Sequence, residues 1–283
     1  MPQDFTDPTP GSAVQVMSPD QLHRTYENLW GPVRSVLQDS FSFGDIKSIV
    51  GTAGLDITKI AHLNQAGFGG ASKGQLMTAI DRVCTEMVPE EKKQFVTITV
   101  EEMLQRKQGI TERLDEVLSR LGWSIINGRL LPIHLLDRSE LYEIPQEAQA
   151  DLVKAATRLR DGDLSGAVSA ACGAVDSVTG KVYRDKSLGN PGLAAFQERV
   201  CCSFDAIGTL DAIESELASI GWEAGNAKRL AQNVRGSLNQ AAYVMQILRS
   251  NMGDVHGTKE TLKALVFDSL QWAKLIVGLL QER

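Results

Sequence analysis

Between two apolar helical runs near its C-terminus the chain reads R-S-N-M-G-D-V-H-G, residues 249–257, and this stretch joins an arginine to the last histidine of the sequence. The two side chains have complementary chemistry. A guanidinium keeps its charge and grips phosphate oxygens through a planar fork of donors, whereas an imidazole accepts or delivers a proton near pH 7. Together they are the parts needed to cleave RNA without a metal. The 2′-hydroxyl is an internal nucleophile, His256 moves a proton, and Arg249 stabilises charge growing on the phosphate. Two geometries place them together. In an unbroken helix, residues seven apart lie about 20° from eclipsed and about 10 Å apart in rise. If Gly253 ends the helix, a turn gathers both at one end of a helical hairpin. An arginine capping helix-terminal carbonyls beside a histidine in a turn uses the same residues, and spacing alone favours that structural role.

Other chemistry is poorly supplied. The Gly-rich G-F-G-G-A-S-K-G-Q, residues 67–75, lacks the G-x-x-x-x-G-K-[ST] order of a phosphate loop and lies in helical surroundings, which makes it a turn. His23, His62 and His134 are not spaced as paired ligands on one helix face. Cys84, Cys172, Cys201 and Cys202 have no C-x-x-C spacing, and an adjacent pair makes a poor disulfide, so all four are expected as reduced, buried thiols. No metal and no cofactor is expected.

The elements that must position the R-x6-H stretch are helical. From Pro145 onward the pattern predicts four or five helices of bundle length. Pro145 suits a first turn, Gly162 a stop, and S-L-G-N-P-G at 187–192 a break. Leu238, Ala241, Ala242, Met245 and Leu248 form one apolar stripe, and Leu262, Leu265, Val266, Ala273, Ile276, Val277 and Leu280 another. Residues 19–106 read as a small bundle of short helices separated by Gly-bearing breaks. Residues 107–142 read as an amphipathic helix followed by a hairpin at Asn127-Gly128, because Asn-Gly tolerates positive φ at both turn positions. Residues 1–18, rich in Pro, Asp, Thr, Gly and Ser, read as a flexible arm. The expected fold class is mainly all-α, with the domain carrying the motif at 143–283.

Apolar residues make up 43% and charged residues 23% of the 283, the composition of a folded globular chain. No apolar run approaches about 18 residues and the N-terminus lacks a signal-peptide layout, so a cytoplasmic protein with no membrane association is expected. The net charge of −6 argues against a general nucleic-acid binder. Its distribution is uneven, however. Residues 226–283 carry eight basic side chains against four acidic ones, which permits a polyanion to approach that end.

The R-S-N-M-G-D-V-H-G segment resembles the C-terminal signature of the abortive-infection (Abi-C-like) branch of the HEPN superfamily, whose hallmark is R-x(4-6)-H and whose branch pattern runs roughly R-N-x-x-G-x-G-H-G. Arg249, Gly253, His256 and Gly257 fall in register, while Ser250 stands where the branch has Asn and Val255 where it has Gly. Upstream, the segment 162–185 is similar to the family's first helix, in which an acidic residue precedes a Lys; Asp176 and Lys181 are the matching candidates. Five residues apart on a helix, they are about 140° apart and poorly placed to pair with each other. The resemblance covers about 140 residues, from roughly 143 to the end. It implies a metal-independent endoribonuclease of antiphage defence or toxin–antitoxin type. Arg249 would clamp the phosphate and His256 transfer the proton. Ser250 and Asn251 would orient the substrate or the histidine, and Asp254 would offset charge. A homodimer bringing two motifs across a cleft would supply both a base and an acid. Some members of the family are instead non-catalytic nucleotide-binding or interaction modules. Residues 19–142 are similar to modules that precede such domains in defence proteins, which implies sensing, assembly or restraint by an antitoxin or a neighbouring protein.

Overall fold

The structure, a computed structural model, describes residues 28–65, 69–253 and 262–281. The 1–18 arm, His23 and the stretch holding Asp254 and His256 lie outside the described residues. Among the described residues the chain forms twelve α-helices and one two-stranded antiparallel sheet, a mainly all-α fold. No described helix is long and apolar enough to cross a membrane. Two compact units divide between Gly122 and Trp123, inside the 107–142 stretch, so that its helix belongs to the first unit and its hairpin to the second.

The first unit holds α1 (Trp30–Ser40), α2 (Phe43–Thr52), α3 (Lys73–Glu86), α4 (Pro89–Arg106) and α5 (Thr111–Ser119). Side chains written into the sequence start these helices. The Ser42 hydroxyl accepts from the Asp45 amide at 3.2 Å and the Ser72 hydroxyl from the Gln75 amide at 3.2 Å, each satisfying an amide that a helix start leaves without a partner. Ser72 thus turns the Gly-rich segment into a helix start. Leu37, Ile46, Met77, Ile80, Phe95 and Met103 close the core. At its rim Asp81 accepts from the Trp30 indole at 2.9 Å and pairs with Arg34 at 2.9 Å, fixing α1 to α3.

The second unit begins with β1 (Trp123–Ile126) and β2 (Arg129–Pro132), paired with Ile126 opposite Arg129. Asn127 and Gly128 have φ of 49° and 75°, the positive values of a two-residue hairpin turn. There follow α6 (Arg138–Leu141), α7 (Gln146–Asp161), α8 (Leu164–Asp185), α9 (Phe196–Ile207), α10 (Thr209–Ser219), α11 (Ala224–Met252) and α12 (Lys263–Leu279). Six of these follow Pro145, against the expected four or five. The added boundary is Gly208, whose φ of 69° ends α9 inside an otherwise continuous helical pattern. Pro145 itself is the residue before α7 rather than its first, and Gly162 ends that helix at φ 85° as expected. The Asp163 amide then donates to the Arg158 carbonyl at 2.9 Å while the Asp163 carboxylate accepts from the Gly166 amide, so one residue closes α7 and starts α8.

Helix α8 is the centre of this unit, with α7, α9, α11 and α12 all packed on it. Its buried face is made largely of Ala, Gly, Val and Cys, which lets neighbouring backbones come close. The stripe predicted on α11 is buried in full, and so is that on α12 apart from the half-buried Leu265 and from Leu262, which precedes the helix and is 60% exposed. All four cysteines are free. Cys84 and Cys172 are buried as expected, whereas Cys201 and Cys202 are only half-buried, because their place on α9 lies at the edge of the packed face.

Burial pushes both buried thiols from the ordinary thiol range up to about 12. Each then reports on its own unit. At pH 8 iodoacetamide should leave Cys84 and Cys172 unmodified in the native protein and alkylate both after denaturation, as read by peptide mass spectrometry. The unfolded chain loses these protons first as pH rises. Stability is therefore lost progressively from about pH 9 towards pH 12, by about 1.4 kcal/mol per pH unit per thiol. Equal labelling of native and denatured protein would show that these helices do not enclose the sulfurs.

Candidate functional site

The arginine of the motif is set by α11. This 29-residue helix lays Leu238, Ala242 and Met245 onto the core, and a residue four beyond Met245 is rotated about 40° from it, at the margin of the buried stripe. Arg249 stands there, in the last turn, where a cation is favoured by the partial negative charge of the helix end. Its Nη1 donates to Asp176 Oδ2 at 2.6 Å, with 43% of the arginine side chain and 25% of the aspartate side chain exposed. One turn back, the Cys172 thiol meets the Met245 carbonyl at 3.7 Å. Cys172 and Asp176 on α8 thus face Met245 and Arg249 on α11 as two successive rungs of an i, i+4 ladder.

Asp176 has a second partner. Arg199, in the first turn of α9, donates from Nη2 to Asp176 Oδ1, so the two carboxylate oxygens are divided between two guanidiniums. The Arg199 side chain is 16% exposed. Its Nη1 donates to the Pro191 carbonyl at 3.2 Å, and its guanidinium lies 5.9 Å from the centre of the Phe196 ring. Helix α9 is itself tied to α11 because the Gln197 amide donates to Gln246 Oε1 at 3.1 Å and Gln197 Nε2 to Asn239 Oδ1 at 2.8 Å. Three helices therefore meet at one carboxylate, and the three charged groups sum to one positive charge.

Helix α11 stops at Met252, so the unbroken-helix geometry for the motif does not hold. Gly253 ends the helix with extended backbone, φ −69° and ψ 159°, and its amide donates to the Arg249 carbonyl at 3.1 Å. Glycine is needed here for space rather than for a left-handed backbone. A Cβ would come 2.5 Å from the Arg249 carbonyl oxygen and 3.1 Å from the Ser169 hydroxyl of α8.

The remaining candidates are placed as follows. Ser250 Oγ donates to the Gln246 carbonyl at 2.9 Å and Asn251 Nδ2 to the Ile247 carbonyl at 2.8 Å, each four residues back on their own helix. Lys181 pairs with Glu147 of α7 at 2.9 Å, and that hydrogen bond holds the Glu147 carboxyl below its usual range. Asp176 and Lys181 thus serve different neighbours, as their angular separation on the helix requires. Asp254 and His256 lie outside the described residues. Arg199 is the member that sequence reasoning missed. A signal was present, since an arginine in a helix's first turn opposes the helix dipole and calls for a compensating anion. Among the described residues, no group of three or more His, Cys, Asp and Glu is placed to hold a metal ion.

No protein-family model, no curated protein and no solved structure matches the chain.

Replacing Gly253 by alanine should cost about 1–3 kcal/mol of stability in the second unit, the usual range for forcing extra volume into a packed site. Urea denaturation followed by circular dichroism would measure it. An unchanged midpoint would mean that the end of α11 is not pinned against α8 as described.

Proposed function

We propose that residues 143–283 form a metal-independent endoribonuclease domain of the abortive-infection type, acting through Arg249 and His256. The observation that carries this reading is the state of Arg249. Its guanidinium is held in one direction by Asp176, yet 43% of its side chain stays open to solvent, at the point where the chain leaves α11 toward His256. Three residues of chain reach at most about 11 Å, so covalent geometry keeps the His256 backbone in the neighbourhood of the Gly253 terminus.

In this reading the 2′-hydroxyl oxygen of RNA attacks the adjacent phosphorus and the bond to the 5′-oxygen breaks, leaving a 2′,3′-cyclic phosphate and a 5′-hydroxyl. A base takes the 2′ proton and an acid returns one to the leaving oxygen, while Arg249 stabilises the added charge on the phosphoryl oxygens. One histidine per chain provides one of the two proton carriers at a time, so a homodimer that faces two motifs across a two-fold axis supplies both.

The test is expression in a bacterial host of wild type beside Arg249→Ala and His256→Ala, with growth and total RNA followed under phage challenge. Wild type should slow growth and fragment RNA. Each variant should lose at least about 100-fold in cleavage, the scale of removing a proton carrier or an oxyanion donor. Variants that cut RNA as well as wild type would remove these residues from the site. Loss with Arg249→Ala but not with His256→Ala would favour a non-catalytic phosphate-binding module.

With purified protein, cleavage should persist in excess chelator and fail on RNA whose cut site carries hydrogen in place of the 2′-hydroxyl. Mixing the two inactive variants should restore part of the activity if the arginine and histidine of one site come from different chains. Strict magnesium dependence or equal cutting of DNA would overturn the chemistry.

A further inference from the structure

We infer that Arg199, Asp176 and Arg249 make up a phosphate-oxyanion site in which Asp176 holds the ligand's place, so that an RNA phosphodiester takes Arg249 by displacing the Asp176 carboxylate while Arg199 retains it. The identity of the ligand rests on the ribonuclease reading; the site rests on the geometry.

One Asp176 oxygen occupies the Arg249 donor that an oxygen of a phosphate would take, while the other oxygen stays on Arg199. The cluster is also graded toward solvent. Exposure rises from 16% for Arg199 through 25% for Asp176 to 43% for Arg249, so an incoming anion meets Arg249 first. Arg199 is anchored independently of the ligand by the Pro191 carbonyl and the Phe196 ring. When Arg249 changes partner, Asp176 is therefore left with a cation and not as an unpaired, three-quarters-buried carboxylate, a state that would oppose the exchange. Arg199, Asp176 and Arg249 together carry the positive sign that attracts a phosphodiester. Arg199 is accordingly a positioning residue: it makes the exchange at Arg249 permissible without touching the substrate.

This assigns opposite signs to two substitutions at the same ion pair. Asp176→Asn removes the competing carboxylate and should tighten binding at least ten-fold. Arg199→Gln removes the cation that retains Asp176, and should weaken binding at least ten-fold, with Arg199→Lys recovering part of the loss. A cluster that only supports the fold would make both substitutions weaken binding or leave it unchanged.

The probe is a 2′-O-methyl dinucleotide, which presents one phosphodiester and no nucleophile, titrated calorimetrically into the full chain and its variants, with circular dichroism confirming that each is folded. A second measurement needs no variant at Asp176. In wild-type protein the side-chain Nε–Hε resonance of Arg249, assigned by substitution, should shift on addition of the dinucleotide, while that of Arg199 holds its place. Affinity changes of the same sign in the two variants, no change in either, or an Arg249 resonance that stays fixed at saturating ligand would overturn the inference. So would inorganic phosphate binding more than ten-fold tighter than the dinucleotide, which would point to free phosphate as the ligand. Opposite signs without any RNA cleavage would leave the site standing and remove the ribonuclease reading. Cleavage with unaltered dinucleotide affinities would do the reverse.

Discussion

The second unit depends on the close packing of α8, and the composition of that helix explains both the packing and the place of the charged cluster. Ala167, Val168, Ala171, Cys172, Ala174 and Val175 are buried almost completely, and their short side chains let four other helices share its surface. Such a helix has few atoms of its own to offer, so its grip comes from backbone proximity and from the larger side chains that neighbours lay across it. Two successive turns then meet α11 through groups of a different kind, the buried Cys172 facing the Met245 carbonyl and Asp176, at the margin, facing Arg249. The carboxylate sits where the small-residue face gives way to solvent.

That position decides the electrostatics. A carboxylate three-quarters buried has lost much of its hydration, and one guanidinium at hydrogen-bonding distance replaces only part of it. Two guanidiniums, one on each oxygen, replace more. The same pairing ties α9 and α11 to α8 through charged groups, while the α9–α11 seam itself joins the amides Gln197, Asn239 and Gln246 with the ion pair of Arg235 and Asp205. Charge therefore holds these helices at their solvent margin and apolar contact holds them at their core. Only the former can exchange partners with a ligand.

What the sequence made legible follows from the range of the forces involved. The Asn127-Gly128 hairpin, the stop at Gly162 and the buried stripe on α11 are decided within a few residues, by backbone sterics and periodicity, whereas the start of α3 at Lys73 falls in a Gly-rich segment that reads as a turn. The break at Gly208 was not legible, because apolar residues continue on both sides of a glycine that a helix also tolerates. Leu262 fits the periodicity of α12 but precedes its first turn and is exposed. At the site, Arg249 could be named from the R-x6-H spacing and Asp176 only through the family resemblance. That Asp176 answers Arg249 and Arg199, while Lys181 answers Glu147, is decided by which helices lie alongside α8, and residues 73 positions apart carry no local sign of it.

The end of α11 raises a last physical question, because the C-terminus of a long helix carries partial negative charge and is a poor place to receive a phosphate. Two side chains and one amide bear on that charge. The Gln246 carbonyl accepts the Ser250 hydroxyl, the Ile247 carbonyl accepts the Asn251 amide, and the Arg249 carbonyl accepts the Gly253 amide. Of these, the Arg249 carbonyl is one of the last four of the helix, whereas the Gln246 and Ile247 carbonyls lie inside the ladder and gain a second donor. The Arg249 guanidinium, in the last turn, is the cation that opposes the partial negative charge of this helix end, and its bond to Asp176, itself held by Arg199, fixes where that cation stands.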